Sequence, residues 1–231
     1  MNDVMKLDPI PFQIDLTSLI KKLRIKEGSR YIDDLKSLVD DAQSIGKPKG
    51  LYKVAFIESK DDDHVVVNSI RLTSRVLRVN LEQAYRVFPY VATCGMELEE
   101  WARGFDDMLK RYWADAINEM VLQIALGDLE NHLMEHYGPG PLSKMNPGSL
   151  IDWPIEEQRP LFQILGNPKD SIGVQLTESF MMIPIKSVSG IRFPTEESFE
   201  SCQLCPREVC PGRRAPYEKD LYDRKYCRRS S

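Results

Sequence analysis

The sequence predicts an α+β protein. Segments with helical periodicity and short β-rich segments follow one another in mixed order, without the regular strand–helix alternation of a parallel α/β sheet. With 231 residues, of which 42% are apolar, the chain can bury a sizeable core in one large domain. We therefore expect a globular domain over residues 1–200 and a cysteine-rich, basic tail over residues 201–231.

The first 50 residues are expected to form the helical part of this domain. Apolar side chains lie three and four positions apart in residues 16–25 and again in residues 31–45, which is typical of amphipathic helices. The Gly- and Pro-rich residues 46–50 are a helix stop signal.

Short runs rich in β-branched residues are interspersed irregularly with helical patterns in the rest of the chain. Strands are predicted at residues 53–57, 65–72, 76–79, 86–93, 172–176 and 187–193. A long helical tract is predicted over residues 97–137, with Gly104 and Gly127 as candidate break points, and a shorter helix over residues 155–165.

Charge and targeting signals exclude several classes of protein. The 31 basic and 35 acidic residues give a net charge of −4, which argues against nucleic acid as the partner. Residues 1–13 lack the pattern of a signal peptide, and no apolar run approaches the ~20 residues that cross a bilayer. We therefore expect a cytoplasmic protein with no membrane partner. The tail is distinct, because residues 202–231 hold eight basic and four acidic residues.

Four of the five cysteines lie in the tail. Cys202, Cys205 and Cys210 fall within nine residues, and Cys227 follows. In a reducing compartment this spacing predicts a metal site rather than disulfides. A Cys-x-x-Cys hairpin is used by both zinc and iron–sulfur sites, so the spacing alone leaves the two metals open.

Four blocks of sequence carry a longer and more specific pattern. They are TCGMELE at 93–99 with YWADAINE at 112–119, NPGS, DWP and EQ within 146–158, IGVQLTESFMMIP at 172–184, and KSVSG at 186–190. Together they resemble the activation domain of cobalamin-dependent methionine synthase, and especially its stand-alone relatives in corrinoid methyltransferase systems. The resemblance covers residues 85–193, a little under half of the chain.

The resemblance implies a twisted, largely antiparallel sheet with helices packed around it. It also implies a ligand, because the family domain binds S-adenosylmethionine above cobalamin. When the cobalt has been oxidised to an inactive state, an electron and the methyl group of S-adenosylmethionine restore methylcobalamin. The implied activity is therefore the reduction or reductive methylation of a corrinoid.

The family's ligand-binding residues map onto individual positions of this chain. Glu119 matches the ligand-binding glutamate, which can pair with the cationic amino group of the ligand. Lys144, Pro147 and Gly148 align with the loop that cradles the ligand, although lysine stands here in place of the family's arginine. Glu178 aligns with the segment beneath the corrin. By charge pattern alone, Glu119 would be assigned to a solvated helix face.

Cobalamin itself is expected on another protein. The Asp-x-His-x-x-Gly motif that supplies an imidazole ligand to cobalt does not occur in the chain. A corrinoid protein or cobalamin-dependent methyltransferase is therefore the expected partner.

The implied chemistry favours one of the two metal sites. Reactivating cobalamin needs a low-potential electron, which an iron–sulfur cluster can supply and zinc cannot. We therefore predict a [4Fe–4S] cluster on Cys202, Cys205 and Cys210, with Cys227 or Cys94 as the fourth ligand and zinc as the alternative metal.

Two functions follow from the sequence. The first is an accessory protein that reactivates or handles a corrinoid protein in trans, with S-adenosylmethionine and an iron–sulfur cluster. The second is a non-catalytic module that binds or scaffolds a corrinoid protein and holds a structural zinc ion.

Overall fold

A computed structural model describes residues 4–26, 28–196 and 198–227 of the chain. Its strands are β1 Val4–Leu7, β2 Lys49–Lys53, β3 Ala55–Lys60, β4 His64–Val67, β5 Ile70–Thr73, β6 Arg86–Thr93, β7 Leu142–Met145, β8 Gln175–Leu176, β9 Met182–Ile183 and β10 Ser187–Pro194. Its α-helices are α1 Leu16–Leu23, α2 Ile32–Ile45, α3 Arg75–Asn80, α4 Met96–Arg103, α5 Met108–Tyr137, α6 Gln158–Leu165 and α7 Pro168–Ile172. Shorter helical turns occupy Ile155–Glu157, Ser201–Leu204 and Tyr222–Tyr226.

Eight strands form one sheet with β6 at its centre. One edge of β6 pairs with β10, which continues to β7, and the other edge pairs with β2 and then β3. Every strand pairing in the described part of the chain is antiparallel. The structure therefore confirms the α+β fold with a largely antiparallel sheet and helices around it.

The central strand separates the two larger of three hydrophobic clusters in the described part of the chain. Side chains alternate between the two faces of a strand, so Phe88 and Tyr90 of β6 join the core beneath α1, α2 and α5. Val87 points the other way, into a second core with α3, α6 and the C-terminal segment. Because β6 is covered on both faces, nearly all of its side chains are buried.

The C-terminal segment packs against the domain. Phe199, Leu221 and Tyr226 are buried members of the second core. The Tyr226 hydroxyl donates to Asn80 Oδ1 of α3 at 3.0 Å. The described part of the predicted tail thus contributes apolar side chains to the fold.

Most long elements lie where the sequence predicts them. The strand at 86–93 is β6, the strand at 187–193 lies within β10, and the helices at 16–25, 31–45 and 155–165 correspond to α1, α2 and α6 with its preceding turn. The tract at 97–137 divides near Gly104, whereas α5 continues through Gly127. No described helix is both long and apolar enough to span a bilayer.

Four of the strand predictions were wrong in detail. Residues 53–57 span the end of β2 and the start of β3, which Val54 separates. The strand predicted over residues 65–72 is a hairpin, because Asn68 and Ser69 both adopt positive φ, as a tight two-residue turn requires. Residues 76–79 form the helix α3, whose first turn is capped by Ser74. Only residues 175–176 of the predicted 172–176 strand are extended, because α7 runs to Ile172.

Candidate ligand-binding site

A cavity of about 300 Å³ lies where the family-like segments meet. Helix α5, the loop after β7, helix α6 and strand β10 form its walls, and the C-terminal segment closes one side. Its lining residues are Tyr90, Gln123, Leu126, Lys144, Asn146, Pro147, Ser149, Gln158, Met182, Ser187, Val188, Ser189 and Arg214.

Asn146 fixes the position of the loop after β7. Its side-chain amide donates to the Tyr90 hydroxyl at 2.9 Å and to the Ser189 carbonyl at 2.7 Å. Gly190 allows this close approach, since a Cβ at that position would overlap Asn146 Nδ2 and lie 2.5 Å from the Met145 carbonyl oxygen. The glycine of the Lys-Ser-Val-Ser-Gly block therefore has a packing role.

The two serines of the same block also hold the backbone. Ser187 Oγ is 2.8 Å from Thr93 Oγ1 and 2.7 Å from the Pro184 carbonyl oxygen. Ser189 Oγ lies 3.2 Å from Gln158 Oε1 on α6. These buried contacts attach β10 to β6 and α6, and so they fix the shape of the cavity.

Basic side chains gather at the end of the cavity nearest β7. Lys144 on β7 and Arg192 on β10 are direct cross-strand neighbours. Arg192 is almost fully buried and pairs with Glu130 of α5 at 2.7 Å. Burial lowers the pKa of Lys144, and the charges of Arg192 and Arg214 lower it further.

Two acidic side chains lie on α5 about one and two helical turns before the cavity wall. Lys186 Nζ contacts Asp115 at 3.0 Å and Glu119 at 3.5 Å. Glu119 is partly exposed, and Gln123, four residues further along α5, lines the cavity itself. The pKa of Lys186 is lowered by burial, but its contacts with the two carboxylates outweigh burial and raise it overall.

The loop predicted to cradle a ligand is closed by its own backbone. Gly148 has a φ of +82°, and its N–H donates to the Trp153 carbonyl at 2.8 Å. A Cβ on Gly148 would lie 3.2 Å from Ile155 Cδ1. Pro147 is buried and lines the cavity, whereas Gly148 shapes the turn behind it.

The connection between α7 and β10 is a small hairpin with an anchored base. Glu178 is exposed at its tip, between Thr177 and Ser179. At the base, the Ile185 N–H donates to Glu99 Oε2 at 3.1 Å, and Glu99 is buried and paired with Arg103 at 2.7 Å. The hydrogen bond from Ile185 to Glu99 thus attaches the base of the hairpin to α4.

The structure brings together only part of the predicted ligand site. Lys144 and Pro147 line the cavity, whereas Glu119, Gly148 and Glu178 are absent from its walls. Asn146 and Gln158 line it but had no predicted role, although both lie within the motif blocks. Arg214 also lines it, and no sequence pattern connected that arginine with the loop at 144–149.

The cysteines do not converge in the described residues. Cys94 is buried in the first core, and burial raises its pKa to about 12. Cys202 Sγ accepts the Arg214 N–H at 3.4 Å, and Cys227 is exposed with Sγ 3.4 Å from Asp223 Oδ1. In the described ranges, no group of three or more His, Cys, Asp or Glu side chains is arranged to hold a metal ion. As placed, the cysteines do not fit a cluster, and the metal site stays a prediction from sequence.

Comparison with known proteins points to one family. Residues 152–202 match the model described as vitamin B12 dependent methionine synthase, activation domain, which confirms the resemblance seen in the motif blocks. The fold is similar to a structure titled "Crystal Structure of the MetH Reactivation Domain bound to AdoHcy", with a TM-score of 0.58 and 16% sequence identity, covering 87% of this chain and 81% of that one. No curated protein matches the chain.

Proposed function

We propose that the chain reactivates or handles a corrinoid protein in trans and binds S-adenosylmethionine, because residues 152–202 match the activation domain of vitamin B12 dependent methionine synthase and the fold is similar to a reactivation domain. The observation that carries the proposal is the cavity itself. Segments from three of the family-like blocks meet around one space of about 300 Å³, which they line with Asn146, Pro147, Ser149, Met182 and residues 187–189. Such convergence of polar groups in a cavity is typical of a small-molecule site.

The charges around the cavity suit a ligand with both an anionic and a cationic group. Lys144 supplies positive charge in the cavity wall, and the carboxylates of Glu119 and Asp115 lie on α5 about one and two helical turns before the lining residue Gln123. Both carboxylates contact Lys186 in this structure. Glu119 therefore has to exchange part of that contact for one with the ligand's ammonium group.

The chemistry of the reaction would come from S-adenosylmethionine and from the partner's cobalamin. Reactivation would need one electron for the partner's inactive cobalt, and S-adenosylmethionine would supply the methyl group and be released as S-adenosylhomocysteine. The electron comes from a separate reductant. This chain's residues would bind the nucleoside and orient the sulfonium toward the partner. Such positioning lowers the entropic part of the activation barrier, which can be a large effect.

Titration calorimetry with S-adenosylmethionine and S-adenosylhomocysteine tests the ligand. We expect Glu119→Gln to weaken binding of both compounds about ten- to hundred-fold, because a charge-assisted contact contributes roughly 1.5–3 kcal/mol. Glu135→Gln, an exposed position on the same helix, serves as the control and is expected to bind like wild type. Equal affinities of wild type and Glu119→Gln would remove Glu119 from the site.

Mixing with a corrinoid protein tests the partner. The chain purified alone is expected to hold no corrinoid, and addition of the corrinoid protein is expected to change the absorption spectrum of its cobalt. Stoichiometric cobalt in the isolated chain would contradict a role in trans.

A second candidate function is a non-catalytic scaffold for a corrinoid protein with a structural zinc ion. It is favoured by the pairing of Asp115 and Glu119 with Lys186, because this pairing already satisfies the acidic groups without a ligand. A colourless protein with one zinc ion and no affinity for S-adenosylmethionine would support this function.

Anaerobic purification with iron, sulfide and zinc analysis tests the metal. The sequence predicts a brown protein that loses its colour in Cys202→Ala and Cys205→Ala. Loss of colour in Cys227→Ala but not in Cys94→Ala would identify the fourth ligand as Cys227, and the reverse would identify Cys94. One zinc ion and no iron in the wild type would contradict the iron–sulfur prediction.

A further inference from the structure

Arg214 reaches the candidate cavity from outside the family-like segments. It lines the same space as Lys144, from which it is separated by 70 positions in the sequence. The match to the activation-domain model ends at residue 202. Arg214 is therefore a feature of this chain that the family pattern does not supply.

The backbone around Arg214 is held in place by the turn that contains the first two tail cysteines. The Arg214 N–H donates to Cys202 Sγ at 3.4 Å. The neighbouring Arg213 guanidinium donates to the carbonyl oxygens of Cys202 at 3.1 Å and Cys205 at 3.3 Å. Arg213 thus holds the segment together, while Arg214 extends to the cavity.

Positive charge exceeds negative charge at this end of the cavity. Three cations, Lys144, Arg192 and Arg214, face two carboxylates, since Arg192 pairs with Glu130 at 2.7 Å and Arg214 pairs with Glu200 at 2.8 Å. The lowered pKa of Lys144 has burial as its main cause and the two arginines as further causes. An anionic group bound here would relieve this repulsion.

The guanidinium of Arg214 has the geometry to bind a carboxylate. Its ion pair with Glu200 is made through Nε, so its two terminal nitrogens can face a ligand. A planar guanidinium offers two parallel donors to a carboxylate, whereas the ammonium group of Lys144 acts as a single point of charge.

We propose that Arg214 and Lys144 together form a subsite for the carboxylate of an amino-acid-bearing nucleoside, with the C-terminal segment as one wall of the ligand site. This inference rests on the proposed function, because it assigns the recognition of one group of the same ligand. The C-terminal segment that follows Cys202 and Cys205 would then be part of the ligand-binding site.

The test compares S-adenosylmethionine with its decarboxylated analogue, which keeps the nucleoside, sulfonium and amine. We expect Arg214→Gln and Lys144→Gln to weaken binding of S-adenosylmethionine about ten- to hundred-fold and to leave the affinity for the analogue unchanged. Arg214→Lys is expected to recover part of the loss. Arg224→Gln removes another exposed, ion-paired cation of the same segment, which contacts Glu218 at 3.2 Å and does not line the cavity, and should bind both compounds like wild type.

Each outcome separates the inference from the proposed function. If the wild type binds S-adenosylmethionine and the two variants bind it equally well, the subsite is wrong while the proposed function stands. If the variants lose affinity for both compounds equally, Arg214 and Lys144 act on the fold, and the subsite is again wrong. If the wild type binds neither compound, the proposed function fails and the subsite fails with it. Melting temperatures of all variants identify a general loss of folding.

Discussion

At the scale of single residues, several motif positions stabilise the backbone rather than contact a ligand. Ser187, Ser189 and Asn146 form hydrogen bonds to neighbouring strands and helices, and Gly190 leaves room for the side chain of Asn146. A pattern of residues shows that a position is constrained, but it does not separate packing from binding. That separation requires the contacts of the folded chain.

The thiol of Cys94 is expected to be unreactive toward alkylating reagents in the native protein. It has no exposed surface, and burial raises the pKa of its thiol to about 12, so almost no thiolate exists near neutral pH. In metal-free protein, alkylation at pH 8 is expected to modify the tail cysteines and spare Cys94, whose reaction should accelerate only as the pH approaches 12 or the protein unfolds. Peptide mapping by mass spectrometry measures this. Rapid labelling of Cys94 in folded protein at pH 8 would contradict its burial.

The sequence could identify some cavity residues and not others for a physical reason. Lys144 and Pro147 belong to a local loop whose pattern is continuous in the chain. Arg214 reaches the same cavity only because the segment after β10 folds back along the second core. Contacts between residues so far apart in sequence depend on tertiary packing, which local spacing does not encode.

At the scale of elements, α3 shows how tertiary contacts override local preference. Its valines favour a strand, and residues 76–79 were predicted as one. The structure places Asp152 beside the start of the helix, where its Oδ2 accepts from the Val76 N–H at 2.9 Å and from the Ser74 hydroxyl. Ser74 Oγ in turn accepts the Leu77 N–H at 2.9 Å. Two side chains thus cap this six-residue helix.

Asp152→Ala is expected to destabilise the protein. The substitution removes an acceptor from the capping network of α3, and loss of such a cap lowers the free energy of unfolding by about 1–2 kcal/mol. Urea unfolding followed by circular dichroism measures the change. Asp40→Ala, at an exposed position on α2, is the control and should change stability far less. Equal effects of the two substitutions would show that Asp152 does not cap α3.

The elements that the sequence predicted well are those with long, uninterrupted patterns. Strand β6 is buried on both faces. The continuous apolar run in its sequence indicates this burial. Helix α5 keeps its pattern over 30 residues. Strand β1 has only four residues with alternating exposure, which is too short for a sequence pattern to predict it. It forms because one edge of β2 is available for pairing.

At the scale of the whole molecule, the C-terminal segment and the central domain share one core. Leu221 is buried in the second core, and the carbonyl oxygen of Tyr226 accepts from Arg75 Nε at 2.9 Å. Residues 75 and 226 are thereby joined across most of the chain length.

Tyr226→Ala is expected to lower the free energy of unfolding by about 3–5 kcal/mol, the usual effect of deleting a large buried aromatic side chain. Tyr226 is only 1% exposed, whereas Tyr217 in the same segment is 44% exposed. Tyr217→Ala is the matched control, with an expected loss below about 1 kcal/mol. Chemical denaturation gives both values. A small effect of Tyr226→Ala would mean that the segment does not contribute to the stability of the domain.

The second core also imposes an order on biosynthesis. Its members run from Ala55 in β3 to Tyr226, so it cannot close until nearly the whole described chain has left the ribosome. The helices and the half of the sheet formed by earlier residues can assemble sooner, because chains fold from the N-terminal part as they are made. Until then the apolar face of β3, β4 and α3 remains uncovered, and during that interval a nascent chain would be most exposed to aggregation and to chaperones.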